Sequence, residues 1–154
     1  MVQEEYIKNA IINHHSEDII NYIDRIIYGR ERNIKLYCLG SMLCEWSPTN
    51  IFFMDIIDMI NMHFPNTHSA IFEPFFVIMI IEEKYYEASV IYEYLKDSCN
   101  KSKNMFDFIK YKNWHWTDME FRYKLDKFIS KYYRKYHNKD KYNFAFCDKI
   151  KIFI

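Results

Sequence analysis

Apolar residues return every three or four positions along most of this chain, a period that predicts helices. Ile19, Ile20, Ile23, Ile26 and Ile27 share one face, with Asp24, Arg25 and Arg30 on the other. Ser16 stands where an N-cap belongs, and Glu17 and Asp18 suit the first turn. The helix is expected to run to about Tyr28, with Gly29 as its stop. Tyr6, Ile7, Ala10 and Ile11 mark a segment ahead of it. Residues 34–46 are apolar nearly all round, through Ile34, Leu36, Tyr37, Leu39, Met42, Leu43 and Trp46, which predicts a well-buried helix. Ser47-Pro48-Thr49-Asn50 breaks it, and Asn50 is the expected cap of the next helix. There Phe53, Ile56, Ile57, Ile60 and Phe64 form one stripe, Asp55, Asp58 and Asn61 face away, and Pro65 ends the run.

Beyond a turn at Asn66-Thr67-His68-Ser69, Pro74 fits the first turn of another helix. Pro74 to Ile81 reads PFFVIMII, apolar on every side, which suits a buried strand or the central helix of a bundle. The continuation EEKYYEASVIYEYLKD carries a helical stripe at Tyr85, Ala88, Ser89, Tyr92 and Leu95, and this favours one long helix over about 74–97. Residues 99–103 read as a polar turn and 104–111 as a short helix. Thr117-Asp118-Met119-Glu120 has the form of a capping box. The helix behind it sets Phe121, Leu125, Phe128, Ile129, Tyr132, Tyr133 and Tyr136 against Arg122, Lys127, Lys131, Arg134 and Lys135. The prediction is all-α: a single globular helical bundle of six or seven helices around one central buried helix. It occupies residues 1–137, with 138–154 a tail that belongs to the same domain or forms an extended arm, weakly alternating enough for a short strand.

Composition narrows the classes. A chain of 154 residues suits one domain. Half the residues are apolar and 19% aromatic, which argues against general disorder. Two Gly and three Pro are too few for most all-β folds or for a Gly-rich phosphate loop. Ile outnumbers Leu by 23 to 5, although Leu is the better helix former, so the bias points to an AT-rich genome. Net charge is zero but uneven: residues 1–97 hold 7 basic and 15 acidic side chains, residues 98–154 hold 14 and 6. The two parts could attract each other, or the basic part could face an acidic partner or nucleic acid. The start MVQEEY carries no secretory signal, which places the thiols in a reducing cytosol or nucleus, and no apolar run is long enough to span a bilayer.

Candidate chemistry is sparse. The histidines at 14, 15, 63, 68, 115 and 137 lack ligand spacing, and no CxxC pair joins Cys38, Cys44, Cys99 and Cys147. Cys38 and Cys44 lie on the apolar helix, where buried inert thiols are expected. No nucleophile elbow, P-loop or dinucleotide fingerprint is present, and Glu82-Glu83 point to different helix sides. Catalysis, a cofactor and a metal are therefore not expected. Residues 110–142 interleave Lys and Arg with rings, as single-strand nucleic-acid binders do; an amphipathic helix with Tyr inside and Lys outside gives the same pattern. Trp114 and Trp116 sit outside a clear stripe, either tucked under the next helix or exposed as anchors.

Two segments resemble a known family. DIINYIDRIIYGRER, with Tyr28, Arg30 and Arg32 closing an Ile-rich helix, is similar to the first long helix of the poxvirus Bcl-2-like intracellular immunomodulators. SMLCEW and FFMDIIDMINMHFP resemble the next two helices through Ser41, Leu43, Trp46, Phe53, Asp55, Ile56, Met62 and Pro65. The likeness covers about residues 18–65. It implies a Bcl-2-like bundle in the host cytoplasm: a non-enzymatic viral protein that binds a host kinase or adaptor, often as a homodimer, and suppresses innate signalling of the NF-κB type. Expected partner-binding residues are Met42, Trp46, Phe52, Ile57, Trp114 and Trp116. The alternatives are capture of pro-apoptotic BH3 helices and binding of nucleic acid or another polyanion through 110–142.

Overall fold

The computed structural model describes residues 3–97 and 119–136, with side chains described over 3–95 and 119–131. Seven helices and no strand occur among the described residues: α1 (Gln3–Ile12), α2 (Ser16–Ile26), α3 (Arg32–Trp46), α4 (Asn50–His63), α5 (His68–Ile81), α6 (Tyr85–Asp97) and α7 (Met119–Tyr136). This is the expected all-α class with the expected number of helices. The chain divides into two compact units, Met1–Met79 and Ile80–Ile154. The short helix at 104–111, the Thr117 half of the capping box and the tail 138–154 lie outside the described residues.

In the first unit α1 packs on α2 and α3, and α2 packs on α3 and α4. The inward residues follow the helical period: Ile7, Ala10 and Ile11 on α1, and Ile19, Ile20, Tyr22, Ile23 and Ile26 on α2. On α4 they are Phe52, Phe53, Ile56, Ile57 and Ile60, with Asp55 and Asp58 outside as the pattern predicts. The α4 cap falls one residue earlier than expected: the Thr49 hydroxyl accepts from the Phe52 N–H at 3.0 Å. Ser16 is the first helical residue rather than the cap, and His15 before it makes no capping bond. The α2 helix stops at Ile26, and Gly29 has no left-handed φ.

The α3 helix departs from its expectation. Only Leu36, Leu39, Gly40 and Leu43 are buried, a single stripe at spacings of three and four. Ile34 is 64% exposed and Cys38 is also exposed, so this thiol is not a buried one; Cys44 is half-buried. The packing partner explains the difference. A Cβ at Gly40 would lie 3.0 Å from Ile78 Cγ2, 3.1 Å from Phe75 Cδ1 and 3.4 Å from Phe75 Cα, so α3 meets α5 along one narrow, close seam.

The enclosed segment is a helix, not a strand. Ile71, Phe72, Phe75, Phe76, Val77, Met79 and Ile80 of α5 are all buried. Its start lies six residues before Pro74, which sits inside the helix rather than in its first turn. Burial of Ile71 and Phe72 draws the preceding residues into the helix and outweighs the ring's preference for a first turn. The expected single helix over 74–97 is two helices, separated at Glu82-Glu83-Lys84, where Glu83 takes a left-handed φ of 59°.

In the second unit α6 packs on α7, through Ala88, Ile91, Tyr92 and Leu95 on one and Phe121, Leu125, Phe128 and Ile129 on the other among the buried residues. A polar cluster holds the α5–α6 corner. Lys124 of α7 donates to the Ile81 carbonyl at 2.6 Å and pairs with Glu120 at 3.0 Å. Such a cation suits the negative end of a helix. Glu83 accepts from Lys127 at 3.3 Å and from the Tyr85 hydroxyl at 3.2 Å, and Lys127 first, then Tyr85, hold its carboxyl below the usual range.

Two outcomes follow from this packing. Gly40→Val should lower unfolding stability by about 2–3 kcal/mol, because the added methyls meet α5 side chains and backbone, and urea unfolding followed by circular dichroism measures it. The Tyr85 phenol is pushed up to about 12, first by burial and then by Glu83. Its neutral form is the one the fold favours, so its contribution is whole below pH 10 and is lost as pH rises from 10 to 12. An ultraviolet titration should show a late phenolate step near pH 12 that is lost in Tyr85→Phe.

Candidate protein-contact surface

A groove of about 370 Å³ opens between α2 and α4, lined by Glu17, Ile20, Asn21, Asp24, Met59, His63 and Phe64. The helical period builds it. On α2, positions 17, 20, 21 and 24 fall on one face at steps of three and four, so the order along the wall is acid, apolar, amide, acid. Seven residues separate the two carboxylates, a rise of about 10.5 Å or two turns. Ile20 and Phe64 lie at its base but are 8% and 9% exposed, so they present little apolar area. Opposite, Met59 and His63 stand one turn apart on α4. No Lys or Arg is among the lining residues.

A stripe on α4 runs along the flank of this groove. Ile51, Asp55, Asp58 and Met62 follow steps of four, three and four, so they share a face, and all are exposed. Asp55 and Met62 each neighbour Met59 by helical spacing, which places the stripe beside the groove wall. Ile51 is 74% exposed and Met62 76%. Single exposed apolar residues are ordinary; these two share one stripe beside the groove, which makes it the candidate contact surface.

The residues expected to bind a partner take different places. Met42 and Trp46 are half-buried, one turn apart on α3, and Lys8 Nζ lies 3.8 Å from the centre of the Trp46 ring. Phe52 is 6% exposed and Ile57 has no exposed area, so both belong to the core and offer a partner almost nothing. Trp114 and Trp116 lie outside the described residues. The groove acids went unassigned in the sequence, where Glu17 read as a helix-dipole residue and Asp24 as solvated. The available signal was the acid–apolar–amide–acid order on one face.

Phe52 is covered by an unusual neighbour. The His14 ring stacks on it with centroids 4.6 Å apart and planes 20° from parallel. His14 holds a left-handed φ of 60°. Its N–H donates to the Ile11 carbonyl at 3.3 Å and the His15 N–H donates to the Ala10 carbonyl at 2.8 Å, the Schellman pattern that closes α1. Glycine is the usual residue there, and a side chain costs about 1–2 kcal/mol. The ring contact offsets part of that cost, at about 0.5–1.5 kcal/mol.

The basic stripe of α7 is partly committed within its own unit. Lys124 and Lys127 make the bonds to Ile81 and Glu83 described above, and Lys131 Nζ lies 4.7 Å from the centre of the Tyr85 ring. Among the described residues no group of three or more His, Cys, Asp or Glu could hold a metal ion, and no helix is long and apolar enough to cross a membrane. No family model, curated protein or solved structure matches the chain.

Two substitutions at His14 separate ring from backbone. His14→Ala keeps the left-handed residue and loses the stack, so stability should fall by about 1 kcal/mol. His14→Gly loses the stack and removes the backbone cost, and should recover most of that loss in urea unfolding.

Proposed function

We propose that this protein is a helical binding module that acts by covering the assembly surface of a partner protein. The observation that supports it is the exposed Ile51–Met62 stripe of α4, which flanks the concave groove between α2 and α4. Rigid helices hold these residues in place before binding, which reduces the ordering cost of association. Contact energy in such sites comes from a few desolvated apolar anchors, with charges at the rim setting orientation.

The partner class comes from the resemblance of residues 18–65 to the poxvirus Bcl-2-like immunomodulators, a stretch that spans α2, α3 and α4. On that reading the partner is a host kinase or adaptor of innate signalling, bound in the host cytoplasm, and the effect is steric. Expression in stimulated mammalian cells should lower an NF-κB reporter several-fold. A variant carrying Ile51→Lys and Met62→Lys should fold normally and lose the effect, because both side chains are exposed in the folded chain. Full reporter activity at verified expression would remove the signalling assignment, and affinity purification from the same cells identifies what is bound.

A further inference from the structure

We infer that the connection between α2 and α3 is a peripheral membrane contact: Arg25, Arg30 and Lys35 meet the headgroups of an anionic lipid surface, and Tyr28 and Ile34 enter the headgroup boundary. Three observations carry it, and none of them uses the groove or the α4 stripe. The first is where the positive charge lies. Residues 1–79 hold 5 basic and 10 acidic side chains, yet four of the five basic ones, Arg25, Arg30, Arg32 and Lys35, fall within residues 25–35. Asp24 and Glu31 are the acids beside them, so residues 24–35 hold four basic against two acidic side chains. An acidic unit therefore has one basic end. The second is that this charge is unspent. Among the described residues none of the four cations takes part in an ion pair, whereas Lys124 and Lys127 of α7 are bonded within their own unit. The third is the apolar area set among them. Tyr28 is 83% exposed, the most of any large hydrophobic residue described, and Ile34 is 64% exposed.

The fold gathers these residues at one end of a helix pair. The α2 helix ends at Ile26 and α3 begins at Arg32. Two backbone bonds tighten the stretch between them, from the Gly29 N–H to the Ile26 carbonyl at 3.0 Å and from the Arg32 N–H to the Gly29 carbonyl at 3.4 Å. Arg25 lies in the last turn of α2, and Ile34 and Lys35 lie in the first turn of α3. Arg25 and Arg30 are exposed, while Arg32 and Lys35 are half-buried and add to the field. The chemistry suits a lipid interface. Tyrosine and arginine each join an apolar body to a polar tip and settle at headgroup level. An exposed isoleucine gains only by leaving water. Each Lys or Arg near an anionic leaflet adds attraction that fades within a Debye length. A single nucleic-acid strand would use the same cations, but it needs rings on which successive bases stack, and here one ring stands beside an aliphatic side chain.

The test is co-sedimentation of the full chain with vesicles of phosphatidylcholine containing about one third phosphatidylserine, against vesicles of phosphatidylcholine alone. Binding to the anionic vesicles is expected at low salt, falling as salt is raised, with little binding to the neutral ones. Residues 98–154 also carry a basic excess, so variants of the connection decide the site. Arg25→Gln with Arg30→Gln should lower the partition coefficient about tenfold or more. Tyr28→Ser with Ile34→Ser should lower it several-fold at unchanged charge. All four side chains are exposed, so the circular dichroism spectrum should not change. The inference is overturned by equal partitioning of the charge variant, by equal partitioning of the Tyr28–Ile34 variant, or by no binding to the anionic vesicles. It is also overturned if a labelled thymidine oligonucleotide binds with the same sensitivity to Arg25 and Arg30 and displaces the vesicles, because the site then serves a nucleic-acid strand.

Discussion

Gly40 lets α3 and α5 approach so closely that a side chain there would press on Phe75 and Ile78. Its missing Cβ would stand 3.0–3.4 Å from Phe75 and Ile78. That seam lies on the buried face of α3, which also packs on α1 and α2. With Leu36, Leu39 and Leu43 on either side of the glycine and turned the same way, Ile34 and Cys38 are left outward despite a sequence that is apolar nearly all round. The orientation of α3 also fixes Met42 and Trp46 at the margin of the unit, half-buried, with Lys8 against the indole ring. The outer surface of the first unit is thus set from its inside.

Much of the fold was legible because amphipathic stripes are local. The faces of α2, α4 and the described part of α7 followed from spacing alone, and the buried residues agree nearly position by position; Tyr132, Tyr133 and Tyr136 of the α7 stripe, with Arg134 and Lys135 opposite, lie outside the described side chains. Three features were not legible. The stretch Glu82-Glu83-Lys84 has good helix formers, so propensity predicted continuity; its break coincides with contacts to Lys124 and Lys127 on a helix that begins at Met119. Pro74 read as a start because a proline inside a helix loses a hydrogen bond, yet burial before it carried the helix back to His68. The left-handed caps fell on His14 and Glu83, while neither glycine takes that conformation.

The contact surface was less legible than the fold. Anchors were sought among aromatic and apolar residues at helix ends and on groove walls, and this logic placed Phe52 and Ile57 outward when packing needs them inside. Trp46 and Met42 kept partial exposure. The groove depends on which helix lies beside α2, and no spacing rule within α2 names α4 as that neighbour. Glu17 and Asp24 become the wall of a groove only once Met59, His63 and Phe64 stand opposite.

The corner between α5 and α6 has a directional consequence. Its carbonyl at Ile81 is satisfied by a lysine 43 residues further along the chain. A protein is synthesised from its amino end, so this donor leaves the ribosome well after the carbonyl it satisfies. No fragment ending before Lys124 contains it. Such a fragment keeps only the local bonds of the corner, from the Glu83 N–H to the Ile80 carbonyl and from the Tyr85 hydroxyl to Glu83.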